Sequence, residues 1–214
     1  MFGSDSVYWI SVTLACLLGA MAPGPSLGVV FNYALSVDRR VGIYCALAHA
    51  IAIAVYAAIS AFGLLTIFHK SAAVFNIVQL LGILFLVLLA IKLLTGSNNP
   101  TSLATNAHSN SRWQAARDGF LIAFVNPKVM LFFTALFSQF LREDMNYLDK
   151  LSLVLIASVV DGLWYLIVVL MITKATAMIK LQQQVWVVDK LFGVFLLLIS
   201  VYFLNQLWPQ IVQN

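Results

Sequence analysis

The chain has 214 residues, 62% of them hydrophobic and 9% charged, with twelve basic and eight acidic side chains and a formal net charge of +4. An ordinary soluble domain carries about 25% charged residues, and twenty charges cannot cover a 23.6 kDa globule, so a soluble single domain is excluded. A mean hydropathy of +0.96 points instead to a polytopic membrane protein, provided that the apolar residues fall in runs of about 20.

They do. Residues 6–37, 41–68 and 71–91 contain no charged side chain; 119–141 are interrupted only by Lys128, 151–173 only by Asp161, and 191–208 by none. Six spans of about 20 residues, at a rise of about 1.5 Å per residue, use most of the chain. The runs are continuous rather than alternating, which excludes a β-barrel. The predicted fold is therefore an all-α polytopic membrane protein with six transmembrane helices.

In chain order, the first span follows Met-Phe-Gly-Ser-Asp, which has no basic stretch, so it reads as a retained helix rather than a cleaved signal peptide. It is interrupted by Ala22-Pro23-Gly24-Pro25 and followed by Arg39 and Arg40. The second span starts with Gly42, Ala46 and Ala50, small residues on one helical face that permit close packing, and it also holds His49. Cys16 and Cys45, in the first two spans, lack a Cys-x-x-Cys context and read as small apolar packing residues. The third span carries Gly82 ahead of an unbroken apolar run. A connection rich in Ser, Asn, Thr and Ala, with Pro100, reads as a flexible linker; its His108 has no second metal ligand nearby. The fourth span is interrupted at Asn126-Pro127-Lys128, the fifth by Asp161, and the sixth repeats the third with Gly193 before an apolar run. The organisation predicted is a three-helix repeat over 1–95, a linker over 96–118 and a second three-helix repeat over 119–214. Three spans per half is an odd number, so the halves are inverted relative to each other.

Lys and Arg in short loops set orientation. Arg39, Arg40, Lys92, Arg112, Arg117, Lys174, Lys180 and Lys190 fall on one side of this six-span scheme, and Lys70, Arg142 and Lys150 on the other. The larger set is predicted to be cytoplasmic, which places both termini outside. No basic run interleaved with aromatics suggests a nucleic-acid partner.

A proline inside a helix removes an amide donor and clashes with the preceding turn, and in lipid the freed backbone is tolerated only where protein or a water-filled cavity receives it. Spans one and four should therefore face each other inside the bundle. Paired Gly/Pro interruptions in corresponding helices point to a transporter's substrate site, where half-helix amides meet an anionic group. Pro23, Gly24, Pro25, Asn126, Pro127, Lys128 and Asp161 are thus the candidate substrate-binding residues. Asn126 can either contact substrate or cap the restarted helix.

Ala22-Pro23-Gly24-Pro25, the basic turn at Arg39-Arg40, the polar central loop, and Gly119-Phe120 leading to Asn126-Pro127-Lys128 together resemble the LysE/RhtB family of amino-acid exporters. The resemblance covers nearly the whole chain. It implies export of amino acids or close derivatives from the bacterial cytoplasm across the inner membrane, driven by proton antiport, with no cofactor. Gly42, Ala46 and Ala50 stand where the family often has glycines at four-residue intervals, a departure that bears on cavity width.

Each intramembrane charge costs roughly 2.5–3.5 kcal/mol on the insertion scale at mid-helix, so Lys128 and Asp161 each need a partner or a cavity. One arrangement pairs them with each other until a zwitterionic amino acid takes the carboxylate to Lys128 and the ammonium to Asp161. Snorkelling toward the interface is the alternative for Lys128. Proton coupling needs a group that titrates during the cycle; Asp161 and His49 are the candidates. Tyr56, Trp164 and Tyr165 are further pathway candidates. Export of a divalent metal is the runner-up function, although few ligands are available. A membrane-embedded redox carrier or enzyme ranks lower: no His-Glu-x-x-His occurs and neither thiol has an activating neighbour. The partners expected are an amino acid, protons and lipid, and a homo-oligomer is compatible with this reading.

Overall fold

The computed structural model describes residues 2–22, 24–96, 111–142, 144–171 and 175–212. Eight α-helices are formed among them: α1 (Phe2–Met21), α2 (Pro25–Asn32), α3 (Arg39–Lys70), α4 (Ala72–Thr95), α5 (Arg112–Phe124), α6 (Pro127–Phe140), α7 (Tyr147–Met171) and α8 (Ala175–Val212). No strand occurs among the described residues. Four helices hold stretches long and apolar enough to cross a membrane; the pairs α1/α2 and α5/α6, bent by 64° and 55°, raise the count to six if each pair is one span. The protein is a polytopic helical membrane protein in which a broken span followed by two long ones occurs twice.

Local chemistry sets the helix boundaries. Pro25 and Pro127 stand in the first turns of α2 and α6, where a missing N–H costs nothing and the fixed φ suits the helix. The Ser71 hydroxyl accepts from the Val74 amide at 3.3 Å and starts α4. At α7, Asn146 Oδ1 accepts from Leu148 and Asp149 amides while Asp149 Oδ2 accepts from the Asn146 amide at 3.0 Å, a reciprocal cap of the type that satisfies orphan donors. Between α2 and α3 the chain makes a π-helical turn, Tyr33–Val37.

Two helices begin ahead of their apolar runs. α5 begins at Arg112, before the apolar run that opens at Gly119, with Arg112, Arg117 and Asp118 on its first turns. Similarly, α8 starts at Ala175, well before the apolar run at 191. Charge defines where a helix leaves the apolar layer and not where it stops. Residues 97–110, including His108, lie outside the described residues.

Small residues bring the helices together. A Cβ on Gly119 of α5 would overlap the Cys45 carbonyl of α3, and one on Gly162 of α7 would sit 3.1 Å from Ala50 Cβ. Ser158 Oγ donates to the Ala50 carbonyl at 3.0 Å. The Ala46/Ala50 face of α3 is thus buried against neighbouring helices, as the spacing predicts. The two matched glycines also act alike: a Cβ on Gly82 would meet Ser138 of α6, and one on Gly193 would meet Leu94 and Ala90 of α4.

Several basic residues contact backbone carbonyls or aromatic rings. Lys190 Nζ donates to the Leu94 carbonyl at the end of α4, and Arg112 lies over the Tyr44 ring at 5.5 Å. Tyr33 Oη donates to Asp118 Oδ2 at 2.6 Å, joining the end of the first span to the start of α5. Elsewhere Arg142 lies 4.5 Å over Tyr8 and Lys150 5.7 Å over Phe62.

Candidate functional site

Both helix breaks open on one cavity. Gly24 lines it from the first break, Asn126 and Lys128 from the second, Cys16 from α1, His49 from α3, and Asp161 and Tyr165 from α7. Its apolar wall includes Ile53, Phe132, Phe133 and Phe192. The cavity volume of about 60 Å³ leaves room for a small solute or a few waters, each of which needs roughly 10–15 Å³.

The breaks are finished differently. At the second, the Asn126 side chain accepts from the Lys128 amide at 3.0 Å and caps α6. Tyr56 Oη donates to the carbonyl of Phe124, one of those that α5 leaves unpaired where it ends. Asn126 thus caps the restarted helix and also lines the cavity. At the first break Gly24, with φ −170° and ψ 179°, precedes α2, and no side chain caps that helix among the described residues. Pro25 follows as the first helical residue; Pro23 lies outside the described residues.

The intramembrane charges do not meet in the predicted way. Asp161 Oδ2 is 2.8 Å from His49 Nδ1, with both side chains buried, so the carboxylate's partner is the imidazole and not Lys128. This satisfies the requirement for a partner while leaving Lys128 separate. Lys128 instead feels the charges of Asp189 on α8 and Lys92 on α4. The Tyr165 ring lies against His49 with centroids 4.6 Å apart. Among the described residues three polar atoms are buried without a hydrogen-bond partner: His49 Nε2, Trp164 Nε1 and Asp189 Oδ1. Trp164 does not line the cavity and Tyr56 serves the break, so of the three aromatic candidates Tyr165 alone lines the cavity.

Asp189 is the residue that sequence reasoning missed. It lies two positions before the last apolar run and beside Lys190, and so reads as a loop charge; its place on a continuous α8 brings it within electrostatic reach of Lys128. The available signal was the absence of a helix breaker between Ala175 and Leu191. No group of three His, Cys, Asp or Glu side chains suited to a metal ion occurs among the described residues.

The chain is similar to several membrane proteins. It is 23% identical to the threonine efflux protein of Escherichia coli K12 over 163 residues, covering 75% of this chain and 79% of that one. An uncharacterized membrane protein of Pseudomonas aeruginosa is 27% identical over 185 residues, covering 83% and 84% of the two chains, and one of Vibrio cholerae is 25% identical over 143 residues, covering 67% and 69%. No solved structure matches the chain. The family model for LysE type translocators matches residues 17–207, a stretch that takes in both breaks and every described cavity residue except Cys16; the chain belongs to the LysE type translocator family.

Proposed function

We propose that the protein is a secondary active exporter of amino acids or close derivatives, working by proton antiport in the bacterial inner membrane. The observation that carries this reading is a single cavity that both helix breaks and three ionisable side chains, Lys128, His49 and Asp161, share. An amino acid presents one anionic and one cationic group a few ångströms apart. Its carboxylate goes to Lys128 and the uncapped first turn of α2, where the helix dipole favours negative charge. Its ammonium goes to the His49–Asp161 pair, and its side chain to the Phe132, Phe133 and Phe192 wall. Gly24 and Pro25 stand at the first break, while Asn126 and Pro127 fix the second.

Family membership and the similarity to a protein named for threonine efflux support export of an amino acid. The two three-helix repeats, inverted relative to each other, are units able to rock about the cavity between them, the geometry of alternating access. The end bearing the larger basic set faces the cytoplasm, placing both termini outside. Expression in an exporter-deficient bacterium loaded in turn with single amino acids and dipeptides tests the function. Extracellular accumulation of at least one of them is expected; no accumulation of any, with efflux of a divalent metal ion, overturns the reading.

A further inference from the structure

The histidine of the buried pair has one nitrogen engaged and one idle. Nδ1 faces Asp161 at 2.8 Å, whereas Nε2 is buried without a partner although the residue lines the cavity. A buried polar atom left unmatched costs free energy, and in native proteins such atoms are uncommon enough to need a reason. The carboxylate orients the ring: with Asp161 ionised, the neutral imidazole carries its proton on Nδ1, and Nε2 is left as a lone-pair acceptor. Packing against Tyr165 holds the ring in place.

We infer that His49 Nε2 takes the amino group of the exported solute, and that a proton on the same atom excludes it. This rests on the transport reading above and adds the atom at which proton and substrate compete. The exchange balances: protonated His49 plus a substrate ammonium gives neutral His49 hydrogen-bonded to that ammonium, plus one proton released to water. On the cytoplasmic side, proton loss frees Nε2 to accept the N–H of the substrate. On the outer side, a proton arriving at Nε2 removes the acceptor and sets a like charge beside the ammonium, so the substrate leaves. One atom serving both ligands gives antiport without a separate proton path.

The groups that face this site from the surrounding helices are compatible with it. Among the cavity-lining residues the titratable ones are Cys16 on α1, Lys128 on α6, and Asp161 and Tyr165 on α7, besides His49 itself. Cys45, on the same helix as His49, is a buried free thiol outside the cavity lining. Asp118 of α5 is engaged by Tyr33. Asp161 is thus the one acidic side chain lining the cavity, and its role is to position the imidazole and compensate its positive charge.

The test is proton release on binding. Purified protein in weak buffer with a pH dye is mixed with L-threonine, L-leucine and L-lysine as probes. For the wild type, each bound amino acid should release up to one proton, and the apparent Kd should rise about tenfold per pH unit on the acid side of His49 protonation, as single-site competition requires. His49→Gln, which offers an amide acceptor but cannot titrate, should bind with pH-independent affinity and release none. A second measurement works without that variant: in a His69→Gln, His108→Gln background, a saturating amino acid should slow modification of His49 by diethyl pyrocarbonate. Binding by the wild type without proton release, release unchanged in His49→Gln, or His49 modified at the same rate with and without amino acid overturns the inference. Failure of all three probes, and of every amino acid in the efflux screen, overturns the transport reading itself.

Discussion

At the break between α5 and α6 the backbone is met by protein. Asn126 caps the restarting helix, the Val125 amide donates to the Leu121 carbonyl at 2.8 Å, and Tyr56 serves the Phe124 carbonyl. At the break between α1 and α2, glycine stands where Asn126 stands in the other half, and no described side chain caps the helix that follows. Two interruptions that read alike as proline motifs are thus one closed and one open helix start facing the same cavity. A capped terminus is fixed; an uncapped one keeps amide dipoles available to a ligand. The difference teaches that an internal repeat need not bind symmetrically: the second break supplies a charged side chain, Lys128, and the first supplies backbone.

The largest expected effect lies between the breaks. Replacing Asp161 by Asn removes the carboxylate that orients and compensates His49, and should abolish efflux driven by a pH gradient in proteoliposomes; full retention would remove Asp161 from the mechanism. Next is Lys128→Met. A hydrogen bond to a charged group is worth about 1.5–3 kcal/mol, so apparent affinity for the exported amino acid should fall about 10- to 100-fold, with Lys128→Arg recovering part of it. Equal affinity in Lys128→Met would reduce the second break to a structural kink.

Smaller effects separate fold from ligand. Gly119→Ala, whose methyl would overlap the Cys45 carbonyl, should destabilise the protein by about 1–3 kcal/mol through overpacking, read as a lowered unfolding temperature in detergent. Asn126→Ala loses the cap of α6 and should cost about 1 kcal/mol in the same assay. Gly24→Ala meets nothing within 4 Å and has an extended backbone that any residue adopts, so stability should be unchanged while the methyl, placed on the cavity wall, raises KM for efflux. Destabilisation by Gly24→Ala, or a KM equal to that of the wild type, would erase the contrast between the two breaks.

Much of this was legible in the sequence because a bilayer imposes strong rules. Charge-free runs gave the spans, and Pro23, Pro25 and Pro127 gave the breaks, since a missing amide is a local property. Helix ends were less legible: α5 and α8 continue through Arg112, Asp118 and Lys190 beyond the apolar runs, where nothing local stops them. Partnership was least legible. Asp161 meets His49 across 112 residues of chain, because packing between helices decides which polar groups meet. The signal for that pair was present all the same: Asp161 is the one charged residue in its span and His49 the one histidine in its own.

The central claim is that one cavity exchanges an amino acid for a proton, and reconstitution tests it most directly. Vesicles holding the wild-type protein, preloaded with a labelled amino acid that the efflux screen has identified and given an imposed pH gradient, should release it faster when the proton gradient runs opposite to the solute. A protonophore should abolish that acceleration. Amino-acid flux indifferent to the gradient, or no amino-acid flux at all, would contradict the account.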